Sequence, residues 1–196
     1  MRTITVALGE KTYNIEIAAG LLDQIGAKAR VLSQAVKAAI ISDSNVDPLY
    51  GERLERSLAA SGFEVTRIVF AAGEQSKNLT VLGQVYDELA RAGLTRSDLI
   101  LTLGGGVPGD LGGFAAATFL RGIDFIQVPT SLLAQIDSSV GGKVAIDLPS
   151  GKNLAGSFYQ PKAVFIDPDL LKTLPLRFIR DRLILTVKAL ASVWYK

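Results

Sequence analysis

Along this chain, short apolar runs of strand length alternate with segments of helical periodicity. That alternation calls for an α/β fold with a mostly parallel sheet and helices on both faces. Lys37–Asp43 reads KAAIISD, an apolar run ending in polar residues, as a strand buried on both faces does. Asp98–Leu103, Phe63–Phe70, Phe125–Val128 and Ala163–Ile166 read as further strands. Thr3–Leu8 and Tyr13–Ile17 alternate with period two around Gly9–Lys11 and read as a hairpin. Helices are expected over Ala19–Leu32, Asp47–Ser61, Ser76–Ala92, Gly109–Leu120 and Thr130–Ile136. Ligands of such sheets sit at the carboxyl ends of the strands. One rim should therefore gather Asp43, the stretch after Phe70, the glycines after Leu103 and Pro129-Thr130-Ser131. We read residues 1–175 as one α/β domain and residues 176–196 as an atypical basic tail.

Composition narrows the chemistry. Cysteine and histidine are both absent from the 196 residues. Disulfides, thiolate sites, a Ser-His-Asp triad and His-ligated metals are thereby excluded within this chain. The net charge of +2 is made by the tail, where Arg177, Arg180, Arg182, Lys188 and Lys196 face one acid, Asp181. No basic stripe with interleaved aromatics occurs, so no nucleic-acid partner is expected. No apolar run approaches the ~18 residues of a membrane span. The first residues, Met1–Val6, alternate polar and apolar without a signal-peptide core, so we expect a cytoplasmic protein without a membrane partner.

Three stretches carry chemistry. Gly104-Gly105-Gly106-Val107-Pro108-Gly109-Asp110 follows a strand and opens a helix, with Gly104, Gly106 and Gly109 in G-x-G-x-x-G spacing. Such a turn lets backbone amides approach a pyrophosphate at a helix N-terminus. A tight turn without a ligand fits the same residues. An acid ending the next strand would complete the ordinary dinucleotide fingerprint; here Asp124 begins that strand instead. Ala72-Gly73-Glu74-Gln75-Ser76-Lys77 lies between a strand and a helix. Ser76 as a helix cap and Glu74 at the positive helix end explain it without a ligand, while its place on the rim suits ribose hydroxyls. Asp137 through Lys143, followed by Gly151-Lys152-Asn153, sets two lysines, an asparagine and glycine turns together, which suits an anionic substrate. Val144 after Lys143 rules out a P-loop. A solvated loop with unpaired lysines is the other reading, and Arg121 has the same two.

At these residues the chain resembles the 3-dehydroquinate synthase family. The matching stretches are Gly73-Glu74-Gln75 with Lys77, Leu103–Ala117, Arg121-Gly122-Ile123, Phe125–Leu133, Gln135–Lys143, Gly151–Leu154, Phe158–Pro161 and Leu171–Pro175. Glycerol-dehydrogenase-like proteins share the glycine turn but not the run from Gln127 to Lys143. The resemblance implies a Rossmann-like, dehydroquinate synthase-like N-terminal domain. It also implies an NAD-dependent lyase that converts a heptulosonate 7-phosphate to 3-dehydroquinate and phosphate. The family uses a divalent metal, zinc or cobalt. Carried over by position, Gly105, Gly106, Val107 and Gly109, with Asp110 nearby, hold the NAD pyrophosphate. Asp43, Gly73, Glu74 and Lys77 hold adenosine or ribose. Thr130, Ser131 and Leu170, Leu171, Lys172 and Thr173 line the cofactor. Arg121, Lys143 and Asn153 contact substrate phosphate. Asp137 and Lys152 face the reacting ring and the nicotinamide, which Lys143 also approaches.

After Pro175 the likeness ends. In ungapped alignment Leu185 stands where the family carries a metal-binding glutamate, and no metal ligand is expected in this chain. We read the tail as the product of a frameshift or truncation shortly after Pro175, and expect an NAD-binding homo-oligomer of low or no turnover. A different sugar-phosphate cyclase, a glycerol-dehydrogenase-like protein and a non-catalytic NAD-binding module are the alternatives.

Overall fold

A computed structural model describes residues 1–176, 178 and 179. Arg177 and residues 180–196, with Leu185 and the rest of the divergent tail, lie outside the described residues. Nine strands run in chain order: β1 (Arg2–Val6), β2 (Tyr13–Ile17), β3 (Lys37–Asp43), β4 (Glu64–Phe70), β5 (Leu99–Gly104), β6 (Asp124–Pro129), β7 (Lys143–Leu148), β8 (Gly151–Phe158) and β9 (Ala163–Ile166). The α-helices are α1 (Ile25–Leu32), α2 (Glu52–Ala60), α3 (Leu79–Arg91) and α4 (Gly106–Thr118). Seven strands form one sheet in the order β1-β2-β9-β6-β5-β3-β4, with every pair parallel except β1–β2. No helix among the described residues is long and apolar enough to cross a membrane.

The period-two side-chain alternation of the buried strands feeds two cores. Ala38 and Ile40 of β3 pack with Leu54 and Leu58 of α2 and Ile25 of α1 on one face. Ala39 and Ile41 pack with Leu82 and Leu89 of α3 and Leu111 and Ala115 of α4 on the other.

Helix starts differ from the sequence expectation where side chains at the ends decide. The segment from Ala19 opens with a 3-10 turn at Leu21–Gln24 before α1, and Asp47–Gly51 is a wide turn before α2. Asn78, not Ser76, caps α3: its side chain accepts from the Val81 amide at 3.0 Å. The Ser76 hydroxyl instead donates to the Ala71 carbonyl. α4 begins at Gly106, three residues early. Pro108 then falls among the first-turn positions whose amides need no intrahelical partner. The helical segment expected over 130–136 lies two residues later, over 132–138, and ends in a wide turn at Ala134–Ser138.

The larger correction concerns 143–158. This stretch is an antiparallel ribbon, β7 with β8, rather than a solvated loop. Its Val144 and Ile146 are buried in the core shared with α4. A Cβ on Gly113 of α4 would stand 2.4 Å from Val144 Cγ1, so that helix position must be glycine for the ribbon to dock.

Asp98 ties the entrances of β3 and β5. It is 5% exposed, and its carboxylate accepts from the Lys37 amide, the Thr95 amide and the Thr95 hydroxyl, each at 2.8 Å. Burial alone would push this acid up, but those hydrogen bonds outweigh it and hold it below the ordinary carboxylate range. A lowered native value means the stabilisation is present above the unfolded value near pH ~3.9 and is lost as pH falls through the native one. Asp98→Ala, which strands two amides, should cost about 2 kcal/mol at neutral pH and flatten the acid limb of a thermal-unfolding pH series.

Candidate functional site

β3, β4, β5 and β6 are parallel, so their carboxyl ends share one rim. Backbone hydrogen bonds close it: the Ser44 amide donates to the Phe70 carbonyl and the Thr130 amide to the Gly104 carbonyl, both at 2.8 Å. Gly104 leaves β5 at φ 157°, and a side chain there would meet the Pro108 ring at 2.4 Å. This is the one glycine of the turn whose backbone requires glycine; Gly105, Gly106 and Gly109 do not take positive φ. Their missing side chains serve access. Among the described residues no side chain caps the α4 N-terminus at its N-cap residue Gly105. The amides of Gly105, Gly106 and Val107 therefore stay uncommitted at the positive end of a helix dipole. The Gly109 amide is used within α4, donating to the Gly105 carbonyl at 3.2 Å.

A cavity of about 540 Å³ lies against this turn. Its walls include Gly106 and Val107, Asp110, Ser131, Ser138, and Glu74 with Lys152. A Cβ on Gly105 would come within 3.3 Å of Ser131 Oγ, and one on Gly106 within 3.5 Å of Ser138 Oγ. The cradle is thus bounded by two hydroxyls, and a side chain at either position would occupy part of it. Beside it lies a second cavity of about 460 Å³, sharing Asp110 and Ser138 and adding Asp137, Lys143 and Asn153.

Lys77 stands between the two. It is 3% exposed, and its ammonium donates to Asp110 Oδ2 at 2.6 Å and to Asn153 Oδ1. Its carbonyl accepts from the Asp147 amide at 2.7 Å. Burial pushes the Asp110 carboxyl up, and the hydrogen bond and charge of Lys77 oppose that. Nearer the surface Lys152 pairs with Glu74 at 3.2 Å across the mouth of the first cavity.

The profile of the 3-dehydroquinate synthase N-terminal domain matches residues 67–181, more than half of the chain. The chain belongs to the 3-dehydroquinate synthase family. It is 57% identical over 181 residues to the 3-dehydroquinate synthase of Clostridium acetobutylicum, covering 92% of this chain and 51% of that protein. With the 3-dehydroquinate synthase of Enterococcus faecalis it shares 49% over 197 aligned positions, 98% of this chain and 55% of that one. The chain spans about half the length of the curated relatives it matches. Among solved structures, a 2-deoxy-scyllo-inosose synthase complexed with carbaglucose-6-phosphate, NAD+ and Co2+ superposes with a TM-score of 0.84 at 30% identity. That match covers 91% of this chain and 49% of the other. A 2-epi-5-epi-valiolone synthase from Streptomyces hygroscopicus with NAD+ and Zn2+ bound gives 0.79 at 31%, with the same coverage.

The residues to which the dehydroquinate synthase resemblance points separate into groups. Glu74, Lys77, Gly106, Val107, Asp110, Ser131 and Lys152 line the first cavity, and Asp137, Lys143 and Asn153 the second. Gly105 and Thr130 form the backbone of the turn. Gly73, at φ 119°, shapes the loop that presents Glu74. Asp43 is buried at the end of β3, where its Oδ1 accepts from the amides of Asn45 and Val46 at 2.9 and 3.0 Å. Lys77 reaches the first cavity with little of its surface, its ammonium bonded to Asp110 and Asn153. Leu170 does not face the cavity. Its side chain is buried in the core, and its carbonyl and the Thr173 hydroxyl hold Tyr50 Oη. Leu171 is half-buried and Lys172 pairs with Asp169 at 2.8 Å on the surface. Arg121 is not brought to the rim. It follows α4, whose 13 residues run about 20 Å back toward the edge where β6 begins.

Ser138, Asp147 and Leu174 belong to the site without having been singled out. Ser138 sits inside the run Asp137–Lys143, and Leu174 follows the expected cofactor segment. Asp147, whose Oδ1 accepts from the Asn153 amide at 2.8 Å, carried no sequence signal. The donors among the described residues do not fit a divalent metal. Among the described residues no three His, Cys, Asp or Glu side chains gather as a metal site, and the chain has neither His nor Cys.

Proposed function

We propose that this chain supplies the NAD- and phosphate-binding part of a 3-dehydroquinate synthase, acting on 3-deoxy-D-arabino-heptulosonate 7-phosphate. The observation that carries the reading is the uncapped α4 N-terminus, with the Gly105, Gly106 and Val107 amides opening on a cavity that adjoins a second one walled by Lys143 and Asn153.

NAD, when bound, supplies a reversible hydride acceptor for a ring hydroxyl. The three amides and the helix dipole hold its pyrophosphate. Glu74 and Asp43, both acceptors, suit ribose hydroxyls, and Asp43 offers the oxygen that does not close its own turn. In the second cavity Lys143 and Asn153 donate to a phosphoryl group. Asp137, exposed on the same wall, accepts from a ring hydroxyl and orients it.

Calorimetry of the 196-residue chain with NAD should show saturable binding, and its absence would overturn the reading. Phosphate release from the heptulosonate phosphate with NAD and Zn2+ present tests turnover. Binding without turnover assigns the chain a binding role alone.

A further inference from the structure

The observations on Lys77 go further than a nucleotide contact. An ammonium has donors and no acceptor, so the amide of Asn153 can meet it only through Oδ1. The rotamer of Asn153 is thereby decided: Nδ2 is left as a donor, with no hydrogen bond among the described residues, on a side chain that lines the second cavity. The backbone of Asn153 is fixed as well. It sits at φ 56°, a left-handed conformation that asparagine tolerates, and its amide is held by Asp147, whose own amide is held by the Lys77 carbonyl. Lys77 thus grips the ribbon through both its main chain and its side chain. Asp110, near the start of α4, keeps the ammonium in place from the opposite side.

We propose that Lys77 is a positioning residue: it turns the Asn153 amide so that Nδ2 donates to a phosphoryl oxygen in the second cavity. The inference rests on the functional reading above and deepens it. Solvation by the Asp110 carboxylate and the Asn153 carbonyl replaces water around a cation that is otherwise costly to bury. Without the ammonium the amide is free to flip and present its oxygen, which repels a phosphate.

A double-mutant cycle read by calorimetry, with heptulosonate 7-phosphate and NAD titrated separately, tests this. Asn153→Asp keeps an acceptor for Lys77 but has no donor; it should retain NAD binding and weaken sugar-phosphate binding at least tenfold, the scale of a lost charge-assisted hydrogen bond. Lys77→Met should weaken sugar-phosphate binding by a similar factor. The double variant should be little weaker than Asn153→Asp alone, because both changes remove the same interaction. Multiplicative losses, or wild-type sugar-phosphate affinity in Asn153→Asp, overturn the positioning role while leaving the functional reading intact. Failure of the unaltered chain to bind NAD and the sugar phosphate overturns both. Because Asn153 is exposed, that variant still allows the proposal to be overturned where Lys77→Met does not fold.

Discussion

Gly26→Ala should be among the most damaging small substitutions in this chain, lowering the midpoint of thermal unfolding by about 6–12 °C. Gly26 lies in α1 where it crosses α2. A Cβ there would stand 1.9 Å from the Ser57 carbonyl oxygen and 2.4 Å from its carbon. Both are backbone atoms and cannot rotate away. The helices would have to separate by about an ångström or more, which breaks the hydrogen bond from the Gly26 amide to Ser57 Oγ at 2.9 Å and loosens the packing of Ile25, Leu54 and Leu58. Overpacking of this kind costs about 3 kcal/mol. Gly83→Ala is the matched control. Gly83 lies within α3 with nothing within 4 Å of its would-be Cβ, and there alanine should stabilise by roughly 0.5–1 kcal/mol. Differential scanning calorimetry of the two variants should give shifts of opposite sign. Equal shifts would mean that α1 and α2 do not approach this closely.

The second large effect is on binding. Gly106→Val should weaken NAD about 100-fold, on the order of 2.7 kcal/mol, with little loss of thermal stability. The first branch atom at Gly106 makes an ordinary 3.5 Å contact with Ser138 Oγ, so the fold accepts it. The two γ-methyls have no such place and fill the cradle. They displace a pyrophosphate from the Gly105–Val107 amides, and each charge-assisted hydrogen bond lost is worth about 1.5–3 kcal/mol. Calorimetry with NAD, beside a melting curve, separates the two effects. A variant that melts normally and binds NAD as the unaltered chain does would place the pyrophosphate elsewhere.

How legible each part was in the sequence follows from how local its determinants are. β3 and β9 match the expected Lys37–Asp43 and Ala163–Ile166 at both ends, because a strand buried on both faces carries its own apolar signature. The glycine turn was legible for the same reason: strand, glycines and helix are contiguous. The ribbon was not. β8 reads GKNLAGSF, without the β-branched alternation of a strand, and among the described residues it pairs only with β7. Ser76 looked like a cap because it precedes an apolar run, yet Asn78, two residues on, takes that place.

The order of apolar runs and the amide-rich turn after Leu103 were therefore determined by sequence alone, since neighbours along the chain suffice to define them. The burial of Lys77, the rotamer of Asn153 and the removal of Arg121 to the far end of α4 were decided only by tertiary structure. A lysine is burial-prone only when partners solvate its charge, and the partners here, Asp110 and Asn153, are 33 and 76 residues away. No local pattern can announce such a meeting; the docking of the ribbon on α4 brings it about.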